Sequence, residues 1–480
     1  QFDRYGAMWF RGVELLRTTT PEPSPAGIMW HVEKDVSDYR SLFLEPGEVA
    51  LQIPNVIDGT YTGVLKMTVT ISFYGGGAAD PGHVVRPLIN VSEASVAPLD
   101  AVSTTGLRPQ VHMMQVPANT TAARLDLYAS GHGCEEFWYA NELNGPECGG
   151  GAYRELQVLV NGKVVGAQYP FPVMYTGGVN PVLWRPLTGI LSFDIPAYRF
   201  DLSPVLPMMI KGEVNLTVQV VGQTPHGTWF LDGVLLLGQS SVSKMVDGSV
   251  KFPRSQQQHT VSESTSGAVQ SMSGTTMYLV RGSMTMSSGK TIQANTYGSL
   301  STWSRNTFAD GQQHTIGSWH SMLSSVYNKE RSVVVSDFPF DLTDAGAQNA
   351  TSFKLNASIS FGRKVDYGFD VRNLKDPAVE PVVSLDHHMK TEAVYNRSTG
   401  AVRKVNKMSG AGTANFTLLP GGAAQPCYDR DLAAVDGSVT SDMMTDACTW
   451  APGPYICGQE LCGAFMASTM TAPTTAAVAH

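Results

Sequence analysis

Residues 214–220 read VNLTVQV, a stretch in which apolar and polar side chains alternate without a break. Residues 65–73 and 353–361 repeat the alternation. A period of two residues places successive side chains on opposite faces of a strand, so each stretch is predicted to be a strand with one buried and one wet face. Strands of this kind are typical of antiparallel sheets.

Turn residues connect these predicted strands. An Asn-Gly pair at 161–162 separates the β-rich runs 156–160 and 163–165, which is a strong hairpin signal, and the Asp-Gly pair at 232–233 is a weaker one. The sequence has no convincing long amphipathic helix and no alternation of strands with helices, which argues against a parallel α/β sheet. The pattern predicts an all-β protein built from packed antiparallel sandwiches.

The composition argues against several classes of protein. The 480-residue chain has 42% hydrophobic and 15% charged residues, which is unlike a disordered protein. Its net charge of −8 argues against binding to nucleic acid or to an anionic membrane. No run approaches the roughly 20 apolar residues of a membrane span. The first ten residues lack the pattern of a signal peptide and resemble the middle of a domain, so we expect the natural N-terminus to be missing.

Cysteines and glycosylation sequons point to one kind of compartment. The six cysteines are even in number and unevenly clustered, which suits disulfides. Seven Asn-x-Ser/Thr sequons occur, several of them on the polar face of a predicted strand. We predict a secreted, secretory-pathway or vacuolar protein in an oxidising compartment, the alternative being a reduced intracellular protein. The predicted glycosylation sites are Asn90, Asn119, Asn215, Asn349, Asn356, Asn396 and Asn415.

Most motifs that carry chemistry are missing from the sequence. It contains no phosphate-binding loop, dinucleotide fingerprint, G-x-S-x-G elbow or H-E-x-x-H, and no cysteine pair at the two-residue spacing that holds zinc. We therefore predict no cofactor and no metal, and we expect the chemistry to depend on carboxylates, arginines and aromatic side chains.

The first candidate cluster lies at the start of the chain. Asp3 is flanked by aromatic residues and followed by Arg4, ahead of the apolar run 6–10. A carboxylate held by a neighbouring cation could act as a general base. The alternative is a surface turn with an ion pair.

The second candidate cluster is a pair of carboxylates, Glu135 and Glu136, followed by Phe137 and Trp138. Adjacent negative charges and apolar neighbours both raise a carboxyl pKa, which keeps a carboxylic acid protonated and able to donate near neutral pH. Neighbours on a strand point to opposite faces, so only one of the two should reach a given cleft. The alternative is a solvated pair in a loop.

A disulfide between Cys134 and Cys148 would fix the loop beside these glutamates. Two unpaired buried thiols are the alternative.

The third candidate cluster combines aromatic residues, glycines and one arginine over residues 169–186, including Trp184 and Arg185. Aromatic rings stack on the apolar faces of sugars, and arginine donates to carbonyl or hydroxyl oxygens. The alternative is an aromatic corner packed between strands.

In their order along the chain, these segments resemble the peptide:N-glycosidase A family. The resemblance covers about residues 1–240 and is specific, because long non-repetitive stretches match; beyond about residue 275 it is looser. The matching stretches are QFDRYGAMWFRGVELLRTTTPEPSPAGIMW (1–30), NVIDGTYTG (55–63), CEEFWYANEL (134–143), YRELQVLVNGKVVGAQYPFPVMYTGGVNPVLWRPLTG (153–189) and FDLSPVLP (200–207).

A weaker similarity, to bacterial peptide:N-glycosidase F, implies roles for individual residues. Its DRY aspartate, the principal catalytic residue, matches Asp3, and its cross-cleft glutamate matches Glu136. Arg4 follows directly. Arg185 matches only by its place near a Trp and a Pro/Gly-rich turn. We predict Arg4, Glu135, Trp138, Trp184 and Arg185 as substrate-binding residues.

That bacterial type also has an important glutamate on a strand of its first domain. The comparable stretch here, residues 65–73, contains no glutamate. Glu22 or Asp58 could substitute, and nothing in the sequence decides between them.

The resemblance implies two jelly-roll-like β-sandwiches, at 1–110 and 111–240, with the active site in the cleft between them. A Ser/Gln-rich connector at 241–274 would lead to a C-terminal β-rich domain at 275–480.

The implied activity is hydrolysis of the β-aspartylglucosaminyl amide of N-glycopeptides or denatured N-glycoproteins, which releases the glycan as a glycosylamine and converts Asn to Asp. Two alternatives are a carbohydrate-binding protein without turnover and a metal-independent glycoside hydrolase that uses the same carboxylates.

Overall fold

The structure is a computed structural model. It describes residues 3–23, 27–59, 61–74, 84–87, 103–105, 110–145, 148–224, 226–254, 257–328, 330–348, 352–370, 378–379, 381–398, 405–420, 427–446 and 455–456.

The strands, in chain order, are β1 Tyr5–Phe10, β2 Val13–Thr19, β3 Val49–Gln52, β4 Val84–Pro87, β5 Ser103–Thr105, β6 Gln110–Met114, β7 Thr120–Gly133, β8 Glu155–Val160, β9 Lys163–Gln168, β10 Tyr198–Asp201, β11 Val214–Val221, β12 Gly227–Gln239, β13 Met245–Lys251, β14 Gln258–Ser266, β15 Val269–Met286, β16 Thr291–Ala309, β17 Gln312–Tyr327, β18 Glu330–Gln348, β19 Ser352–Asp370, β20 Ala378–Val379, β21 Pro381–Ser398, β22 Val405–Pro420, β23 Tyr428–Val435, β24 Ser438–Thr445 and β25 Tyr455–Ile456. The helical segments are the α-helix α1, Leu206–Lys211, and 3₁₀ turns at Ser37–Leu44, Trp138–Ala140 and Ser203–Val205.

The described strands form five sheets, and all their pairings are antiparallel, so the all-β prediction is confirmed. Sheet 1 has the order β2-β1-β3. Sheet 2 has the order β10-β7-β12-β4, with β5 also on β12. Sheet 3 has the order β6-β11-β8-β9. The C-terminal sheet has the order β13-β15-β16-β17-β18-β19-β21-β22-β23-β24, with β14 also on β15, and β20 pairs with β25.

Sheet 2 is a middle layer with two buried faces. On β12, Leu235 and Leu237 belong to the large core shared with sheet 3 and the C-terminal sheet. Val234 and Leu236 point the other way and pack with Phe10 and its neighbours from sheet 1. The alternation of the strand explains both contacts, because successive side chains leave the backbone on opposite faces.

The layer between sheets 1 and 2 is polar as well as apolar. The guanidinium of Arg17 donates from Nε and Nη2 to the two oxygens of Glu14, both at 2.7 Å. Arg124 makes a second fork to Asp126, at 2.6 and 2.9 Å, and also donates to Asp38 at 2.7 Å. These charges are buried but paired, which offsets much of the cost of removing them from water.

Local sequence signals are confirmed where the pattern is strong. β11 buries its apolar side chains and turns Asn215, Thr217 and Gln219 outward. The hairpin between β8 and β9 turns at Asn161 and Gly162, whose φ values are 48° and 75°, as a tight Asn-Gly turn requires.

Three other expectations are wrong. The Asp-Gly pair at 232–233 lies inside β12 and makes no hairpin. Residues 65–73 form no strand with any described part of the chain, although their alternation is clear. Residues 241–274 are not a connector, because β13, β14 and the start of β15 pair there in the C-terminal sheet. Ser- and Gln-rich sequence reflects strands whose side chains are largely exposed.

The boundary at residue 110 is also crossed by pairing. β4 and β5 precede it, yet both hydrogen-bond to β12, so sheet 2 draws strands from both predicted sandwiches. Within the described residues, no helix is long and apolar enough to cross a membrane.

Candidate active site

Asp3 lies just before β1, partly buried, with its carboxylate against a loop from the middle of the chain. The backbone N–H of Gly177 donates to Asp3 Oδ2 at 3.2 Å. Arg4 Nη1 donates to the Asp3 carbonyl at 3.1 Å. Burial raises the pKa of Asp3 and outweighs the opposing effects of the Gly177 N–H and the Arg4 charge.

Glu22 is the second carboxylate of the site. The antiparallel register of β1 and β2 pairs Tyr5 with Thr19, so the segment after β2 returns alongside Asp3. The backbone N–H of Asp3 donates to Glu22 Oε2 at 2.9 Å. Burial raises the Glu22 pKa, and the Asp3 charge adds to this, while the Asp3 N–H and the Arg185 charge oppose it.

Gly177 is where these two carboxylates converge. A Cβ on Gly177 would lie 2.7 Å from Asp3 Oδ1 and 2.9 Å from Glu22 Oε2. The lack of a side chain therefore allows both oxygens to approach the same backbone atom. Of the two acids left open by the sequence, the structure places Glu22 at Asp3, whereas Asp58 is exposed in the segment after β3.

Glu136 is the third carboxylate, in the turn that follows β7. Burial raises its pKa to about 7, and the negative charge of Asp3 is the second cause. The influence of the Asp3 charge on Glu136 indicates that the two carboxyl groups lie near each other. A carboxyl group with this pKa is largely protonated below neutral pH and able to donate.

The structure does not support substrate binding by Glu135. Its side chain is fully buried, and the guanidinium of Arg154, also fully buried, forms a two-pronged ion pair with it. Trp229 Nε1 donates to its Oε2 at 2.6 Å, and the Thr224 N–H donates to its Oε1 at 2.8 Å. Both oxygens are occupied inside the protein, so Glu135 stabilises the turn that presents Glu136.

Trp138 and Trp184, which were predicted to stack on sugars, are also buried. Trp138 is 3% exposed and packs edge-on against Trp319, with ring centroids 5.1 Å apart. Trp184 is 3% exposed, donates from Nε1 to the Gly178 carbonyl at 2.8 Å, and packs edge-on against Phe361. Neither ring offers a face to a sugar, so the packed-corner alternative describes them correctly.

Arg185 follows Trp184 on the same loop and is partly exposed. Its positive charge opposes the rise in the Glu22 pKa, which indicates that Arg185 lies near Glu22. Asp3, Glu22, Glu136, Arg4 and Arg185 are therefore brought together, although the chain separates them by up to 182 positions.

The predicted disulfide between Cys134 and Cys148 is confirmed, with an S–S distance of 2.07 Å and Cα atoms 5.0 Å apart. It closes the segment that carries Glu135 and Glu136, and loops of this length gain about 3 kcal/mol in the chain-entropy model. Cys427 is also disulfide-bonded.

The sequons differ in how accessible they are. Asn90 and Asn349 lie outside the described residues. Asn215 is exposed on the outward face of β11. The others have their amides engaged or part-buried: Asn119 Nδ2 donates to the Ser240 carbonyl, Asn415 Nδ2 donates to Asp429 and Asp431, and the Oδ1 atoms of Asn356 and Asn396 are buried. Glycosylation of these residues stays a prediction.

Sequence reasoning missed a buried network behind Asp3. Ser130 Oγ donates to the Tyr5 hydroxyl at 3.1 Å, lies 3.0 Å from His132 Nε2, and accepts from Arg17 Nη1 at 3.3 Å. Burial lowers the His132 pKa to about 3, so the ring is neutral. Two signals in the sequence could have located these residues. The alternating polar residues of β7 point to the network, and the β1–β2 hairpin around Arg11 points to Glu22.

No group of three or more His, Cys, Asp or Glu side chains in the described ranges is arranged to hold a metal ion.

Comparison with known proteins identifies the family. The model of the family "Peptide N-acetyl-beta-D-glucosaminyl asparaginase amidase A" matches residues 1–251. Peptide-N4-(N-acetyl-beta-glucosaminyl)asparagine amidase A of Prunus dulcis is 29% identical over 490 residues, which cover 91% of this chain and 83% of that protein.

Two solved structures are more distantly similar. Recombinant peptide: N-glycanase F is 16% identical, with a TM-score of 0.33 over 50% of this chain and 78% of that one. PNGase F from Flavobacterium meningosepticum is 16% identical, with a TM-score of 0.30 over 50% and 79% of the two chains. TM-scores this low establish nothing about the fold or function of this chain. The match over residues 1–251 confirms the resemblance seen in the sequence: the chain belongs to the peptide N-acetyl-β-D-glucosaminyl asparaginase amidase A family.

Proposed function

We propose that this chain is a glycoamidase that hydrolyses the amide between an asparagine side chain and the first N-acetylglucosamine of an N-glycan. Its products are a glycosylamine and a peptide with aspartate in place of asparagine. The observation that carries the proposal is the proximity of Asp3, Glu22 and Glu136: the Asp3 N–H donates to Glu22, and the Asp3 charge raises the pKa of Glu22 and of Glu136.

Asp3 is proposed as the base. The Arg4 charge and the Gly177 N–H favour its ionised form, and the Gly177 N–H holds the carboxylate, while burial leaves it basic enough to accept a proton. It takes a proton from a water molecule that attacks the amide carbon, or attacks that carbon directly. Glu22 is proposed to hold the backbone of Asp3 by accepting its N–H. Its negative charge is proposed to favour the protonation of Asp3 during the reaction.

Glu136 is proposed as the donor across the cleft. Its pKa of about 7 supports a protonated carboxyl at mildly acidic pH. It either protonates the departing amine or donates a hydrogen bond to a core sugar hydroxyl. Arg185 is proposed to stabilise the negative charge that develops on the carbonyl oxygen during attack. Because Trp138 and Trp184 are buried, sugar recognition falls to these polar groups.

The substrate is proposed to be an N-glycopeptide or an unfolded N-glycoprotein, encountered in a secretory or vacuolar oxidising compartment. The Cys134–Cys148 disulfide beside the cleft supports such a compartment.

The test is a digest of an N-glycopeptide in heavy-oxygen water, read by mass spectrometry, for wild type and Asp3→Asn. The expected result is a new aspartate carrying one heavy oxygen, with a rate at least about 10²-fold lower in the variant. Asp58→Asn, which changes an exposed aspartate outside the cleft, serves as the matched control and should keep the wild-type rate.

Two outcomes would overturn the proposal. Free glycan with asparagine still carrying one sugar would identify a glycoside hydrolase. Retention of glycopeptide without turnover at any pH from acidic to neutral would identify a carbohydrate-binding protein.

A further inference from the structure

The loop that contacts Asp3 contains an unusual backbone turn at Val179. Its φ is 61°, a value that β-branched residues rarely adopt because Cβ then crowds the backbone. The N–H of Asn180 donates to the carbonyl of Gly178 at 2.7 Å, so the hydrogen bond spans Val179 alone. A γ-turn with a positive φ is the rare and strained form of that turn.

The C-terminal sheet holds this turn from one side. Asn180 is fully buried, and its Nδ2 lies 3.5 Å from the Leu355 carbonyl on β19 and 3.4 Å from the Ala393 carbonyl on β21. Its Oδ1 accepts from the Val182 N–H at 3.1 Å. One side chain therefore ties the loop both to itself and to the C-terminal sheet.

The same loop is held from the other side by the elements of the candidate site. Thr176 Oγ1 donates to the Thr20 carbonyl at 2.8 Å. The hydroxyl of Tyr175 donates to the Gly131 carbonyl at 3.1 Å. Between these anchors and Val179 lies Gly177, whose N–H donates to Asp3.

Relaxation of Val179 to a negative φ would rotate the peptide planes beside it. Gly177 is only two residues away, and both Asp3 and Glu22 lie within 3 Å of where its Cβ would be, so little movement is tolerated there. Backbone strain of this kind persists only where the surroundings enforce it, and it concentrates at functional sites.

We propose that Asn180 is a positioning residue: it anchors the strained Val179 turn on the C-terminal sheet and so fixes the Gly177 N–H against Asp3. The inference rests on the proposed function, and it assigns a role in that function to the C-terminal half of the chain, which the sequence left without one.

The test is a double-mutant cycle of Asn180→Ala and Val179→Gly. Removal of Asn180 frees the strained turn, so Asn180→Ala should lower kcat by about 10- to 100-fold with KM changed less than about 3-fold. The acidic limb of its pH profile should move upward, because Asp3 loses the N–H that favours its ionised form. Glycine adopts a positive φ without strain, so Val179→Gly alone should keep kcat within about 3-fold of wild type.

The decisive variant is the combination of both changes. Without a strained side chain to relax, the turn no longer depends on its anchor, so Val179→Gly should restore at least about 5-fold of the kcat lost in Asn180→Ala and return the acidic limb. Asn161→Gly, which relieves the steric cost of a positive φ in the β8–β9 hairpin, is the matched control and should restore nothing.

Three outcomes would overturn the inference: additive losses in the double variant, an unchanged kcat in Asn180→Ala, or failure of both Asn180→Ala variants to fold. A wild-type protein without turnover would instead end the proposed function. In that case thermal unfolding still measures the energetic coupling of Val179 with Asn180. Because Val179→Gly relieves the strain, Asn180→Ala should destabilise the Val179→Gly protein less than it destabilises wild type.

Discussion

Glu135 and Glu136 are consecutive in the chain, yet their carboxylates lie in regions with opposite electrostatics. Glu135 is enclosed with the Arg154 guanidinium and two further donors. Glu136 is partly exposed beside the acid Asp3, and its pKa is raised to about 7. Burial of a carboxyl group therefore has two outcomes in this protein: Glu135 stays ionised in an ion pair that stabilises the structure, and Glu136 keeps a proton that it can donate.

The same contrast separates the two larger regions. Between sheets 1 and 2, carboxylates such as Glu14 and Asp126 are each forked to an arginine. In the cleft, Asp3 and Glu22 have backbone N–H donors, and arginine charge acts on both without lowering their pKa values to the usual range. The layer between sheets 1 and 2 therefore contains buried ion pairs, and the candidate site contains carboxyl groups with raised pKa values.

The largest effect is expected from Glu136→Gln, which tests whether Glu136 is the proton-donating acid of the pair. If Glu136 donates a proton, the amide substitute keeps its shape and can still donate a hydrogen bond, but it cannot protonate a leaving amine. We expect kcat to fall by about 10²- to 10⁴-fold with little change in folding stability. The measurement is initial rate on a glycopeptide, with circular dichroism to check the fold. A loss below about 10-fold would instead assign Glu136 to sugar binding.

The next effect, on the other side of the comparison, is Glu135→Gln. It leaves the Arg154 charge buried without its partner, and breaking a buried pair costs about 3–5 kcal/mol of unfolding free energy. Urea unfolding measures this loss, and kcat per folded molecule should stay within about 3-fold of wild type. Glu33→Gln is the matched control, because Glu33 is 63% exposed in a pair with His31 and should cost almost nothing. A stable Glu135→Gln protein with lost activity would return Glu135 to the active site.

A smaller effect is expected from Gly177→Ala. The added methyl would lie under 3 Å from oxygens of both Asp3 and Glu22, so one carboxylate or the loop must move. We expect kcat/KM to fall by about 10- to 100-fold, as displacement of a reacting group by an ångström typically costs. Gly212→Ala is the control, since nothing lies within 4 Å of its Cβ position. An unchanged rate would mean that Asp3 and Glu22 need not share this backbone position.

The parts of the fold and of the candidate site that the sequence predicts are those set by residues close together in the chain. The β8–β9 hairpin and the two faces of β11 follow from neighbours a few residues apart, so pattern alone predicts them. Asp3 and Glu136 are predicted from motifs rather than from strand pattern, and their catalytic roles stay a proposal. Trp138 and Trp184 were misassigned because composition does not distinguish an exposed ring from one packed on the C-terminal sheet. Their partners there, Trp319 and Phe361, lie 181 and 177 residues later in the chain.

The position of Glu22 also depends on strand pairing, which the sequence pattern does not give. Its place beside Asp3 follows from the register of a single hairpin, but choosing it over Asp58 requires knowing which strands pair. Residues 65–73 carry the same alternation as β11 and yet have no partner among the described strands, so alternation predicts a face and not a neighbour.

The smallest predicted effect is a change with pH in the stability of Glu136→Gln relative to wild type. A carboxyl whose folded pKa is raised to about 7 favours folding while it is protonated, and that contribution is lost as pH rises from about 4.5 to about 7. Glutamine does not titrate, so the melting temperature of Glu136→Gln should rise relative to wild type across this window, by about 1–2 °C, and then level off. Differential scanning calorimetry from pH 4 to pH 8 measures the difference, and Glu33→Gln should run parallel to wild type throughout. A constant offset between Glu136→Gln and wild type would mean that Glu136 ionises like an exposed glutamate, and the distinction between the paired and the proton-holding acid would then rest on Asp3 and Glu22 alone.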